Sequence, residues 1–329
     1  MVKPAKRVPI RRRVVTTSIY ALSWLLLTLL SPLWVVAALL VGLARGRSFI
    51  VLRLLLFAWF YLGLELIALV FVAWTFSMRA GGEPRLRRLY RLQLWWANLT
   101  WSVAAKALRL RIVVKGADCS MPGPTILLVR HASILDTLLP SVYVQRPHDY
   151  RLRYVLKQEL LFDPCIDIVG HALPNYFVDR TGDVERELEG IRALVQNLGT
   201  DGVLIFPEGT RFSPKKREKA LRELEAEASP LLAAARRLTH VLPPKPAGVL
   251  TVFEELPSVD CVFLAHTGLE AFAKIKDLLS GEVVGSTVHV HLWRVNANDI
   301  PKEPDERLRW LYAQWEKVNA FVRNPSETS

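Results

Sequence analysis

Two short polar stretches interrupt otherwise apolar surroundings: Arg130-His131-Ala132-Ser133-Ile134-Leu135-Asp136 and, 70 residues further on, Phe206-Pro207-Glu208-Gly209-Thr210-Arg211. A histidine and an aspartate at H-x4-D spacing can act as a base and the carboxylate that orients it. A Glu-Gly-Thr-Arg turn can hold a phosphate, because glycine lets backbone donors come close and the guanidinium offers a planar donor fork. Together the two stretches read as acylation of a hydroxyl on a phosphorylated substrate. Each also has a plain structural explanation. Ser133-Ile134-Leu135-Asp136 is an S-x-x-D capping box that closes a helix start, and Pro-Glu-Gly-Thr is turn-prone.

The elements that must carry these residues follow from periodicity. Beyond residue 109, short β-branched runs alternate with amphipathic helical patterns, as in an α/β domain. Strands are predicted at 110–114, 125–130, 153–156, 202–206, 260–265 and 286–295, and helices at 133–144, 183–198, 215–228, 230–238, 269–279 and 305–322. Both motifs therefore leave the end of a strand, where α/β domains gather their ligands. A five-residue offset does not put His131 and Asp136 on one helix face, but a strand-to-helix turn can bring them together.

The first quarter of the chain has a different character. Residues 1–91 contain 14 Lys and Arg against only Glu65 and Glu83, while residues 92–329 carry 29 basic and 29 acidic side chains, so the whole net charge of +12 sits at the front. A neutral α/β domain lacks the basic face that a groove of DNA or RNA demands, which excludes nucleic acid as the partner. The apolar run 18–44 exceeds the ~20 residues that cross a hydrocarbon core, with Pro32 placed to kink it. A second run, 49–78, follows the linker Arg45-Gly46-Arg47-Ser48. Neither the short apolar core nor the cleavage site of a secretory signal is present, so a retained anchor is expected. Basic residues flank the pair on both outer sides (Lys3 to Arg13, Arg79 to Arg91), which places both ends in the cytoplasm; a hairpin dipping into one leaflet leaves the α/β domain on the same side. Arg53 is close enough to its helix end to snorkel, and Glu65, near mid-run, must face the other helix or carry a proton. Trp95, Trp96 and Trp101 lie within 92–109 at helical spacing beside the basic cluster, as in a helix at head-group depth. The expected organisation is a basic cytoplasmic N-terminus (1–17), a two-helix membrane anchor (18–78), a basic, Trp-rich interfacial segment (79–109) and an α/β domain (110–325).

Cys119, Cys165 and Cys261 lack metal or disulfide spacing and read as buried thiols in a reducing compartment. His289 and His291 share a strand face but have no third ligand, so no metal is expected. His148, His171, His240 and His266 fall in no recognisable constellation.

Over roughly residues 85–325 the chain resembles the PlsC-type lysophospholipid acyltransferases, the glycerolipid acyltransferase family. His131 and Asp136 match its H-x4-D box, Phe177-Val178-Asp179-Arg180 resembles its second block, Phe206 to Arg211 matches its F-P-E-G-T-R box, and Leu242-Pro243-Pro244-Lys245 resembles its Pro-containing fourth block. The charged insert 214–238 looks closer to the branch with lysocardiolipin-type and multi-pass lysophosphatidate acyltransferases. One departure is Arg130, where many members have Asn; it bears on positioning of the base or substrate preference rather than on the chemistry. The resemblance implies a mixed-sheet glycerolipid acyltransferase domain behind an N-terminal two-helix membrane segment, in a bacterial inner membrane with the catalytic domain on the cytoplasmic side. It implies that His131 deprotonates a glycerol hydroxyl while Asp136 fixes its tautomer, with no covalent intermediate. Arg211 would bind the acceptor phosphate with Arg180 and Lys157 adding charge, Glu208 would hold the arginine or the glycerol, and Gly209 and Thr210 would complete the site. Lys215, Lys216 and Arg217 would meet coenzyme A phosphates or simply face water. Acyl-CoA or acyl-carrier protein is then a donor substrate, no cofactor or metal is needed, and the partners are membrane phospholipids and a lysophospholipid acceptor. Lysophosphatidic acid is the first acceptor, another lysophospholipid the close variant, and a non-catalytic phospholipid-binding scaffold the alternative of another class.

Overall fold

The structure is a computed structural model describing residues 10–44, 49–79, 81–179 and 183–326. The described residues begin with the helices α1 (Ile10–Leu29), α2 (Ser31–Ala44), α3 (Ile50–Ser77) and α4 (Gly82–Ala107). The order continues through β1 (Arg111–Lys115), β2 (Thr125–Val129), the single turn α5 (Arg146–His148), β3 (Leu152–Lys157), α6 (Pro164–Ala172), β4 (Tyr176–Val178), α7 (Val184–Val195) and β5 (Gly202–Ile205). It ends with α8 (Pro214–Ala226), α9 (Leu232–Arg237), α10 (Pro246–Glu255), β6 (Asp260–Thr267), α11 (Ile275–Leu279), β7 (Thr287–Val295) and α12 (Pro304–Arg323). The expected α/β class with a mixed sheet is found: among the described residues seven strands run in the order β1-β7-β6-β2-β5-β3-β4. The neighbours β6-β2-β5-β3 and the pair β1-β7 are parallel, and β7 is antiparallel to β6. The chain divides into two compact units, one of residues 1–110, 156–180 and 276–286, the other of residues 111–155, 181–275 and 287–329.

In the first unit, α3 alone among the described residues is long and apolar enough to cross a bilayer, while α1 and α2 meet that measure together but bend by 69° at their junction. Pro32 explains the break. It occupies the second position of α2, where its missing N–H costs nothing, and no continuous helix passes through it. The basic residues Arg11 to Arg13 are the first turn of α1 rather than a separate tail. Arg12 and Arg13 reach the buried Asp167 of α6, at 2.9 and 3.2 Å, and His171 joins them at 3.1 Å. Glu65 is fully buried, facing inward as a mid-helix carboxylate must. The Trp-rich segment belongs to one long helix, α4, with Trp101 buried and Trp95 exposed.

In the second unit, the central strands are covered on both faces, so they read as unbroken apolar runs: every residue of β2 and β5 is buried, as is Cys261 to His266 of β6. Their register brings Leu128 opposite both Phe263 and Ile205, which aligns the C-terminal ends of three adjacent parallel strands. The helix expected over 133–144 is absent. A 3₁₀ turn at Leu135–Leu138 and a π turn at Ser141–Gln145 stand in its place. Pro140 cannot donate to a regular helical ladder, and the Asp136 carboxylate takes the N–H groups that would start one. The helix expected over 269–279 is likewise broken into Glu270–Ala273 and α11.

Candidate active site

His131 leaves β2, and its Nδ1 lies 3.0 Å from Asp136 Oδ1. The carboxylate only accepts, so Nδ1 carries the hydrogen and Nε2 presents the lone pair a base requires. The other oxygen, Oδ2, accepts the backbone N–H groups of Ala132 and Ser133, both at 2.6 Å, while Ser133 Oγ accepts from the Asp136 N–H at 3.3 Å. The capping explanation and the catalytic one therefore coexist in a single carboxylate, one oxygen serving each. Burial alone would push the Asp136 carboxyl up, but hydrogen bonds from His131 and His266 outweigh it and hold the group well below the usual carboxylate range. The His131 ring lies beside that of Phe206, at 4.6 Å between centroids.

The second motif leaves β5 alongside. Glu208 is 1 % exposed, and its Oε1 and Oε2 accept the backbone N–H groups of His131 and Leu242, each at 2.9 Å. Where sequence reasoning placed Glu208 on Arg211 or on the glycerol, its carboxylate oxygens accept from those two backbone groups, tying three of the four blocks together. The physical reason is burial, which makes two fixed N–H donors the natural partners of a carboxylate. Burial raises its carboxyl to about 7 against the pull of Arg130 and the two N–H donors. Further backbone bonds, Phe212 N–H to His131 O and Lys245 N–H to Pro207 O, both 2.8 Å, close the same three-way junction. Gly209 turns the loop at φ +63°, a conformation that a side chain opposes. Thr210 Oγ1 accepts from Lys216 Nζ at 2.8 Å, and the same ammonium donates to Arg211 O at 3.1 Å. Lys216 thus contacts the loop while remaining exposed. The Arg211 side chain is exposed.

Of the remaining expected residues, Lys157 ends β3 and belongs to the first unit, while Arg180 lies outside the described residues. His289 and His291 both lie on β7, where the His291 ring packs 5.4 Å from both Trp293 and Phe321. Among the described residues no three His, Cys, Asp or Glu gather as a metal site would require. Sequence reasoning missed His266 and Glu270 as site residues, and raised Arg130 as a departure bearing on positioning of the base. His266 Nε2 comes within 3.4 Å of Asp136 Oδ2, and Arg130 Nη1 pairs with Glu270 Oε1 at 2.6 Å. No spacing rule could have found His266, because its place depends on β6 pairing with β2 across more than a hundred residues.

A base with an oriented tautomer at one strand end and an exposed guanidinium on the loop from the next suit proton removal from a hydroxyl of an anionic substrate. Residues 111–255 match the Acyltransferase family. The chain is 26% identical over 206 residues to 1-acyl-sn-glycerol-3-phosphate acyltransferase epsilon of Mus musculus, covering 58% of this chain and 55% of that protein. It is 21% identical over 236 residues to lysophosphatidylinositol acyltransferase 10 of Caenorhabditis elegans, covering 67% and 58%. The chain spans about half the length of the curated relatives it matches. The crystal structure of the 1-acyl-sn-glycerophosphate (LPA) acyltransferase PlsC from Thermotoga maritima has the same fold, with a TM-score of 0.55 at 16% identity over 83% of this chain and 98% of that one. Residues 111–255, which match the Acyltransferase family, carry His131, Asp136 and the Phe206–Arg211 loop, and the chain has the PlsC-like fold.

Proposed function

We propose that this chain is a membrane-bound O-acyltransferase that moves a fatty acyl group from a thioester, acyl-CoA or acyl-carrier protein, to the free hydroxyl of lysophosphatidic acid, yielding phosphatidic acid. The observation that carries this reading is the 3.0 Å His131–Asp136 contact at the end of β2, with the carboxylate held by backbone donors. His131 Nε2 takes the hydroxyl proton, the alkoxide oxygen attacks the thioester carbonyl, and the resulting imidazolium returns the proton to the departing thiolate. Asp136 steadies the imidazolium, and Arg211 on its exposed loop binds the acceptor phosphate, with Thr210 and Gly209 shaping that loop. Lys157 and Arg180 are proposed to add positive charge toward an anionic substrate. The relative named for lysophosphatidylinositol favours one second reading, in which a different lysophospholipid is the acceptor.

The apolar helices and the basic surplus support a membrane location with the acyltransferase domain on the cytoplasmic side. The test supplies membranes containing the chain with labelled acyl-CoA or acyl-carrier protein and a panel of lysophospholipids. Diacyl product should appear with lysophosphatidic acid and vanish in His131→Ala. An undiminished rate in that variant removes His131 from the mechanism, and preference for another head group selects the second reading.

A further inference from the structure

Asp136 is shared by two histidines. His266 stands near the end of β6, beside β2, and its ring is fully buried. Its Nε2 lies 3.0 Å from the carbonyl oxygen of Arg130 and 3.4 Å from Asp136 Oδ2. Both are acceptors, so Nε2 carries a hydrogen and faces the pair. The Nδ1 atom is buried without a partner.

The ring is itself held. Arg130, 1 % exposed, donates from Nη1 to the His266 carbonyl at 2.7 Å and to Glu270 Oε1 at 2.6 Å, and from Nη2 to the His240 carbonyl at 3.2 Å. Residues 130 and 266 therefore clasp each other twice, side chain to backbone in each direction. Glu270 is fixed in turn by the Thr267 hydroxyl at 3.2 Å and the Gly268 N–H at 2.8 Å. Burial favours its neutral form, yet the Arg130 guanidinium holds its carboxyl below the ordinary value.

The contacts differ in what they fix. The N–H donors of Ala132 and Ser133 belong to the same loop as Asp136, so they shape the loop without anchoring it to the sheet. His266 reaches the loop from the neighbouring strand. It holds the peptide just before the base and the carboxylate that orients the base. We propose that His266, clasped by Arg130 and Glu270, is a positioning residue whose Nε2–H fixes the Asp136 carboxylate and so locks His131 in its Nδ1–H tautomer. This rests on the reading of His131 as the base.

The test compares His266→Leu, which lacks the donor, with His266→Gln, which keeps an Nε2 donor at similar reach, in the full chain in detergent. Three quantities are read: the kcat and KM of acyl transfer, the tautomer of His131 from its imidazole 15N shifts (assigned against His131→Ala), and the thermal midpoint. His266→Leu should lower kcat about 10-fold, the lower range for losing a hydrogen-bond partner one step behind a reactive group, while each KM stays within about 2-fold. It should also turn a single His131 tautomer into a mixture, and His266→Gln should recover both readouts. If His266→Leu does not fold, Glu270→Gln at the rim of the clasp should lower kcat by less than about 10-fold at unchanged KM, with the same mixing of tautomers, because it acts one step further from the base. A single tautomer and unchanged kcat in the folded donor-free variant, or equal losses in Leu and Gln, overturn the proposal. If the wild type acylates no acceptor while the His131 tautomer still follows His266 across the variants, the positioning role is supported and the acyl-transfer reading is refuted instead.

Discussion

Asp136 acts through the asymmetry of its two oxygens. Oδ2 faces two backbone N–H groups at 2.6 Å, so an asparagine here must turn its carbonyl oxygen to them and present its NH2 to His131 Nδ1. That donor would force the hydrogen onto His131 Nε2, leaving no lone pair for the substrate. Asp136→Asn is therefore expected to fold and to lose about 10²–10⁴ in kcat, measured with the lysophospholipid panel; activity within about 3-fold of wild type would separate the aspartate from the base. Glu208 gives a pH signature of opposite sign. Its carboxyl is raised from 4.5 to about 7, so its contribution to stability is complete below about 4.5 and is lost as pH rises through about 7. Glu208→Gln cannot titrate, and its NH2 would face one of the two backbone donors, at a cost of about 1–3 kcal/mol. Thermal melts should find the gap between wild type and Glu208→Gln widest near pH 4.5 and narrower above pH 7. A gap independent of pH would mean that Glu208 stays ionised throughout.

At the scale of elements, the site is built by three neighbouring parallel strands whose ends present Arg130-His131, Phe206 to Glu208, and His266. The turn leaving β6 is as constrained as the motifs. Gly268 has φ +93°, and an added Cβ would lie 2.2 Å from the Thr287 carbonyl oxygen, so backbone must shift to admit alanine. Because its N–H also holds Glu270, Gly268→Ala should lower the melting midpoint and reduce kcat more than it changes KM. Unaltered kinetics would show that the clasp tolerates displacement of that turn. These strands also mark what the sequence could disclose. Short β-branched, apolar runs located β2, β5, β6 and β7, and the polar residues that follow β2 and β5 named His131, Asp136 and Glu208. The expected helix over 133–144 failed because Pro140 and the Asp136 carboxylate break the ladder, although the apolar spacing is helical. The helices α6 and α10 were missed: each is short and starts at a proline, Pro164 and Pro246, which reads in sequence as a turn as readily as a first helical residue. His266 could not be read at all, since periodicity carries no strand order, and the role of Glu208 depends on backbone groups that no side-chain pattern encodes.

For the whole molecule, two forces could hold the chain to a bilayer, and they respond differently to solvent. The charge surplus of +12 belongs to residues 1–91, where it can attract anionic head groups. The helices α1 to α3 also leave Leu22, Leu26, Leu33, Leu40, Val70 and Trp74 each more than half exposed, far more apolar surface than water tolerates on a folded chain. Salt at ~1 M shrinks the screening length to about 3 Å and so removes the first attraction, but it does not weaken burial of apolar side chains. Ionic contacts alone would release the chain into a high-salt wash; helices seated in hydrocarbon would retain it. The second outcome is expected, because an apolar helix of 28 residues such as α3 would gain from lipid along most of its length. Membranes washed with ~1 M salt and then alkaline carbonate should keep the chain, and detergent should release it together with its acyltransferase activity. Release by salt alone would place α1 to α3 on the membrane surface, held by charge, and would remove the anchor from the proposed function while leaving the His131–Asp136 chemistry intact.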